Sequence, residues 1–146
     1  MKGYPKWFFS LINGAVIALF LSGCLLAPAT LDLRLEWDMP WRLEGAQRVL
    51  TVSLHALLAF IVLMLVGALW SVHMRFNWRH RKQRCSGLGL AILWLFLMLT
   101  GLGIYYLGDA QASVVAAVSH MAAGVLVIFW FAWHVVRGRR DARRLR

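Results

Sequence analysis

Four of the five histidines lie in or at the ends of long apolar stretches of this 146-residue chain, and they form two pairs. His55 and His73 are 18 residues apart, and His120 and His134 are 14 residues apart in the last apolar stretch. Histidine is costly at membrane depth and is usually functional there, and its neutral ring nitrogen is a good metal ligand. A haem iron bound by two imidazoles has no open coordination position, so it transfers electrons instead of binding oxygen. The two pairs therefore predict haem b binding and electron transfer.

Helix geometry places the two histidines of each pair on one face. At about 100° per residue, 18 residues complete five turns, and 14 residues fall about 40° short of four turns. If both stretches cross the membrane inward, His55 and His120 share the outer level, and His73 and His134 share the inner level. The axial rises of about 27 Å and about 21 Å differ by roughly one turn, however. We therefore expect His55 and His120 to hold one haem, whereas the inner pair requires helix tilt or a kink near Gly67, or else does not form a site.

Four apolar runs of about 20 residues each are long enough to cross the hydrocarbon core of a bilayer. The chain is 61% hydrophobic and 15% charged, which is more apolar and less charged than a soluble domain. The runs cover approximately residues 7–27, 49–72, 87–107 and 113–136. We expect Pro28 to end the first helix, and Asp109 or Ser113 to cap the last one. The predicted fold is an all-α membrane protein, a single four-transmembrane-helix bundle over residues 1–146.

The formal net charge of +10 is distributed unevenly along the chain. Thirteen of the sixteen Lys and Arg residues precede the first span, join the second to the third, or follow the fourth. The remaining three, Arg34, Arg42 and Arg48, lie on the opposite side together with five of the six acidic residues. By the positive-inside rule both termini are cytoplasmic, and the basic clusters face lipid headgroups. This distribution argues against nucleic-acid binding and favours a multi-pass protein of the bacterial inner membrane.

A haem also needs space beside its ligands and cations near its propionates. Small residues lie around the two outer histidines: Ala116, Ala117, Ala122, Ala123 and Gly124 near His120, and Ala56 and Ala59 near His55. The candidate cations are Arg48, Arg42 or Arg34 on the outer side, and Arg75, Arg79 or Arg137 on the inner side. Arg48, Arg75 and Arg137 are the first candidates to bind propionates.

Other interpretations of these residues remain open. A single membrane histidine is often a hydrogen-bonded packing residue, and His80 is most simply a solvated loop residue, although it can replace His73 as a ligand. Zinc fits poorly, because no carboxylate or cysteine lies close to either histidine pair. Cys24 and Cys85 lie near opposite membrane faces, so no disulfide is expected between them. The Leu21-Ser22-Gly23-Cys24 segment resembles a lipoprotein cleavage box, but the same run also serves as part of a full-length first span.

The sequence contains a weak internal repeat. F-L-S-G-C-L-L in the first span is similar to L-M-L-T-G-L-G-I in the third, with Ser22-Gly23 matching Thr100-Gly101. His55 and His120 stand near the starts of the second and fourth spans. Shared membrane constraints explain such a pattern, and so does a duplicated helix pair, which we favour.

With its four spans and the 14-residue gap between His120 and His134, the chain resembles the bacterial di-haem cytochrome b superfamily. This superfamily includes 561-type cytochromes and the membrane subunits of nickel–iron hydrogenases and formate dehydrogenases. The resemblance implies His55 as the outer ligand on the second span, and, in many members, an inner ligand at the start of the first span. That segment, Y-P-K-W-F-F-S, has no histidine here, so His73 must substitute or the inner haem is absent. The resemblance further implies a quinone and a periplasmic cytochrome c or a catalytic subunit as partners.

Three functions are compatible with these features. The first is an electron-transfer subunit of a larger oxidoreductase complex, with haem b and no substrate chemistry of its own. The second is a haem-free four-helix assembly or scaffold subunit that docks through its basic loops. The third is a cytochrome that oxidises quinol by itself and is therefore an enzyme. The histidine pairs favour the first of these functions.

Overall fold

The apolar runs form four long α-helices in a computed structural model, which describes residues 5–69, 75, 79 and 84–144. The helices are α1 (Lys6–Leu35), α2 (Gly45–Leu69), α3 (Arg84–Tyr106) and α4 (Ala110–Arg144). Each helix is long and apolar enough to cross a membrane, and no strand occurs in the described part of the chain. For the described residues, the predicted all-α architecture with four helices long and apolar enough to span a membrane is confirmed.

The first helix is longer than predicted, because Pro28 lies inside α1 and does not end it. A proline removes one backbone hydrogen bond and crowds the preceding turn. In a membrane the flanking turns still favour the helix, because unpaired backbone groups there have no water to bind. The helix continues to Leu35 and ends at Glu36, which has a φ of 54° and donates its N–H to the Asp32 carbonyl. The prediction that Pro28 ends the first span is wrong, and the connection between α1 and α2 is reduced to residues 36–44.

Of the two residues predicted to cap the last helix, Asp109 caps the start of α4. Asp109 Oδ1 accepts a hydrogen bond from the backbone N–H of Ala112 at 2.7 Å, as the side chain of an N-cap residue does. Ser113 is instead buried, and its hydroxyl donates to the carbonyl of Ile104 at 3.4 Å. Since only residues 107–109 separate α3 from α4, the two helices pack as an antiparallel pair.

The buried core takes side chains from all four helices. α1 packs against both α2 and α4, and α4 packs against α3. The helix with the fewest buried side chains is α2, in which Val62 alone is buried among the described residues. The core consists of Phe8, Ile12, Ala15, Val16 and Leu19 of α1, Val62 of α2, Leu90, Trp94 and Leu97 of α3, and Ala123 and Val127 of α4. α2 is therefore held mainly by α1, and most of its surface faces the surroundings of the bundle.

The close approach of α3 and α4 depends on Gly89. A Cβ atom at Gly89 would lie 2.7 Å from Cζ2 of Trp130, a distance that real Cβ contacts essentially never show. The indole is held in place, since its Nε1 donates a hydrogen bond to the carbonyl of Ser86 at 3.2 Å. Trp130 therefore cannot move away from α3 without losing that bond.

We expect Gly89→Ala to lower the free energy of unfolding by about 1–3 kcal/mol, because the added methyl group overpacks the α3–α4 contact. The matched control is Gly67→Ala in α2, where nothing lies within 4 Å of the added atom. Alanine is favoured over glycine in a helix by about 1 kcal/mol, so the control is expected to be neutral or stabilising. Unfolding of both variants in detergent measures the difference, and equal stability would contradict the packing argument.

Candidate functional site

His55 of α2 and His120 of α4 lie side by side. Their ring centroids are 6.3 Å apart, and the ring planes are inclined by 72°. Both side chains are half-buried. The structure thus brings together the two histidines that the sequence places at one level of the membrane.

The separation of the two rings is too long for a direct hydrogen bond between them. A hydrogen bond of about 3 Å between two ring nitrogens brings the centroids to roughly 5 Å from each other. Two imidazoles that bind one metal ion, each through a nitrogen at about 2 Å, have centroids about 6 Å apart. The observed 6.3 Å is compatible with two such ligands, and also with an edge-to-face ring pair, whose centroids lie about 4.5–7 Å apart.

The set of donor groups fits haem iron better than a bare metal ion. Within the described ranges, no three histidine, cysteine, aspartate or glutamate residues are grouped so that they could hold a metal ion. A protein zinc site uses three or four such ligands. A porphyrin supplies four nitrogens itself, so a haem iron needs only two ligands from the protein. His55 and His120 satisfy that requirement.

Each of these two histidines contacts a Ser/Thr-Gly pair on the helix packed against its own. Nδ1 of His55 is 2.9 Å from Oγ of Ser22 in α1, and Nδ1 of His120 is 3.1 Å from Oγ1 of Thr100 in α3. A Cβ atom at Gly23 would lie 3.2 Å from Cε1 of His55, and one at Gly101 would lie 3.3 Å from Cε1 of His120. The repeated segments Ser22-Gly23 and Thr100-Gly101 therefore contact a histidine in the same way in the two helix pairs.

His134 has the same surroundings in α3, and the sequence analysis missed them. Its Nδ1 is 2.9 Å from Oγ of Ser86, and a Cβ atom at Gly87 would lie 4.0 Å from its Cε1. Ser86 and Thr100 are 14 residues apart, as are His134 and His120 on the antiparallel helix. The signal was present as S-G-L-G-L and T-G-L-G-I, two similar segments in α3 with the spacing of the histidines.

The other half of the predicted inner site cannot be compared with the structure. His73, the proposed partner of His134, lies outside the described residues, and so does His80, its alternative. Binding of a second haem by His73 and His134 therefore stays a prediction.

The arginines predicted near propionates have different surroundings. Arg48 is exposed and lines an open groove of about 450 Å³ together with Ser53 and Tyr105. Arg34 donates a hydrogen bond to the carbonyl of Ile104 at 3.2 Å. Arg48 thus combines an exposed side chain with an open groove that neither His55 nor His120 lines.

Arg42 is instead held by two carboxylates. Its Nε donates to Glu44 at 2.8 Å, and its guanidinium forms an ion pair with Asp32. The hydrogen bonds to Glu44 and Asp32 raise the pKa of Arg42 above its ordinary value. This ion pair ties the outer connection to the end of α1, so Arg42 is a weaker propionate candidate than Arg48.

On the predicted inner side, Arg137 lies over the ring of Trp133, 5.4 Å from its centroid, and Arg75 and Arg79 are exposed.

The small residues predicted beside the outer histidines differ in their burial. Ala116, Ala117 and Ala123 are buried, Ala59 and Gly124 are half-buried, and Ala56 and Ala122 are exposed. Cys24 and Cys85 are both free and exposed, as expected.

Comparison with models of protein families, with curated proteins and with solved structures finds no match to this chain. The relationship to di-haem cytochromes b thus stays a prediction from the residues. The chemistry of the site has to be inferred from its own geometry.

Proposed function

We propose that the protein is a membrane b-type cytochrome that carries electrons between the quinone pool and a periplasmic or membrane-associated redox partner. The supporting observation is the approach of two half-buried imidazoles, His55 and His120, to a centroid separation of 6.3 Å. This separation suits two axial ligands of one haem iron and is too long for a direct hydrogen bond between the rings. His73 and His134 are proposed to hold a second haem at the inner level.

The residues of the site hold the haem and protect it. A bound haem b supplies a one-electron iron couple. His55 and His120 would hold the haem iron with two imidazole nitrogens, which would suit electron transfer better than oxygen binding. Arg48, which is exposed at an open groove, is proposed to pair with a propionate, because a guanidinium matches the geometry of a carboxylate. Arg75 and Arg137 have the corresponding role on the inner side.

The location and the partners belong to the same proposal. The four apolar helices support a multi-pass membrane protein. The basic residues on one side of that topology support the inner membrane of a bacterium, with both termini in the cytoplasm. A reporter enzyme fused to the C-terminus tests this orientation. A quinone and a cytochrome c or catalytic subunit are the partners that connect such a haem to electron transport.

The decisive experiment is a haem count with an optical spectrum of the purified protein. We expect at least one haem b per chain by pyridine haemochrome assay, and a reduced spectrum with an α-band. Two haems per chain would support the inner site as well. Protein that is folded, well supplied with haem during expression and still colourless would refute the proposal and favour a haem-free scaffold.

A further inference from the structure

We infer that Ser22 and Thr100 are positioning residues that keep the proton of His55 and His120 on Nδ1 and so leave Nε2 as the ligand nitrogen. This inference rests on the proposed haem site, and it concerns the groups behind the ligands. Each hydroxyl forms hydrogen bonds within its own helix that determine how it contacts the imidazole.

The single proton of each hydroxyl is already committed to the backbone. Ser22 Oγ is 2.9 Å from the carbonyl oxygen of Leu19, and Thr100 Oγ1 is 2.8 Å and 3.2 Å from those of Phe96 and Leu97. A carbonyl only accepts hydrogen bonds, so the hydroxyl is the donor in these contacts. Towards the imidazole, each hydroxyl oxygen is therefore the acceptor.

An accepting hydroxyl determines which tautomer of the ring is present. Since Ser22 Oγ and Thr100 Oγ1 accept, the Nδ1 atoms 2.9 Å and 3.1 Å away must carry a hydrogen and donate it. A neutral imidazole has one N–H, so Nε2 of each ring retains its lone pair. That lone pair is what a metal ligand requires, and the partner of the other nitrogen selects it.

The glycines next to the hydroxyls hold each ring in this orientation. A Cβ atom at Gly23 would lie 3.2 Å from Cε1 of His55, and a Cβ atom at Gly101 would lie 3.3 Å from Cε1 of His120. The absence of a Cβ at these two glycines therefore leaves room for each ring in its observed orientation. The ligands come from α2 and α4, whereas the hydroxyls and glycines come from α1 and α3. All four helices are therefore required to prepare the two ligand nitrogens.

The tautomer is measurable without haem. In haem-free protein labelled with ¹⁵N-histidine, we expect NMR to show a protonated Nδ1 and an unprotonated Nε2 for His55 and His120. The signals are assigned by their loss in His55→Ala and His120→Ala. Protonation on Nε2 in the wild-type protein would overturn the inference, whether or not the protein binds haem.

Variants test the consequence for the haem. We expect Ser22→Ala and Thr100→Ala to bind haem about 10- to 100-fold more weakly, the usual cost of losing a hydrogen bond behind a metal-bound histidine. Their midpoint potentials should also shift upward, because an imidazole without this acceptor is a weaker base and stabilises ferric iron less. The conservative variants Ser22→Thr and Thr100→Ser should behave as wild type.

The matched control is Thr30→Ala in α1. Thr30 also donates to a backbone carbonyl, that of Leu26 at 3.0 Å, but it contacts no histidine in the described structure. If Ser22→Ala and Thr100→Ala match Thr30→Ala in affinity and potential, the positioning role is refuted while the cytochrome proposal stands. If the wild-type protein binds no haem, the cytochrome proposal fails, and the NMR result still decides the tautomer.

Discussion

We expect His55→Ala and His120→Ala each to abolish the same haem, so that the two variants have indistinguishable spectra. The reason is that the two rings lie side by side, with centroids 6.3 Å apart, as the proposed site requires. Either variant would lose one of the two imidazoles proposed to hold the iron, and the single imidazole that remains would not be enough to retain the haem in its low-spin form. We expect the low-spin signal of this haem to be lost almost completely in electron paramagnetic resonance of the purified variants. The pyridine haemochrome assay should show the matching loss of haem content.

Leu54→Ala is the matched control for these variants. Leu54 precedes His55 on α2 and is 47% exposed, so its truncation changes the helix surface without touching the histidine pair. We expect this variant to retain its full haem content. If His55→Ala and His120→Ala remove two different haems, the pairing of these residues is wrong; if both retain the wild-type spectrum, neither is a ligand.

Gly23→Ala and Gly101→Ala are expected to disrupt haem binding while the protein stays folded. The added methyl group would lie 3.2 Å or 3.3 Å from Cε1 of His55 or His120, so each ring must shift by a few tenths of an ångström. Metal–ligand distances tolerate only about 0.2 Å. We therefore expect a loss of haem affinity of about 10- to 100-fold, measured by haem titration of the apoprotein. Alanine is the better helix former by about 1 kcal/mol, so unfolding separates a binding defect from a folding defect.

Gly14 provides the control for the glycine variants. It lies in α1, as Gly23 does, and nothing lies within 4 Å of a Cβ atom built there. Gly14→Ala should bind haem as the wild-type protein does. Haem affinities that are equal in all three variants would show that the rings do not depend on Gly23 and Gly101.

Local sequence patterns were reliable where one physical requirement dominated. Four apolar runs predicted four helices, because a membrane crossing needs about 20 apolar residues with all backbone groups bonded within the helix. The prediction failed at Pro28, where a local helix-breaking preference competes with that requirement and loses. The repeat of Ser22-Gly23 and Thr100-Gly101 was visible in the sequence, but its meaning was not, since the histidines that it contacts are 33 and 20 residues away.

The sequence by itself determined the four helices and the level of His55 and His120 along two of them, because helix length and rise depend only on local spacing. Only the tertiary structure decided that these two rings approach to 6.3 Å, and that Ser22, Thr100 and Ser86 are the hydroxyls behind three histidines. The physical reason is that residue spacing along a helix determines neither the rotation of the helix about its axis nor the helix against which it packs. The packing of α1 against α2, and of α3 against α4, fixes that rotation and that neighbour, and it brings each hydroxyl to its histidine.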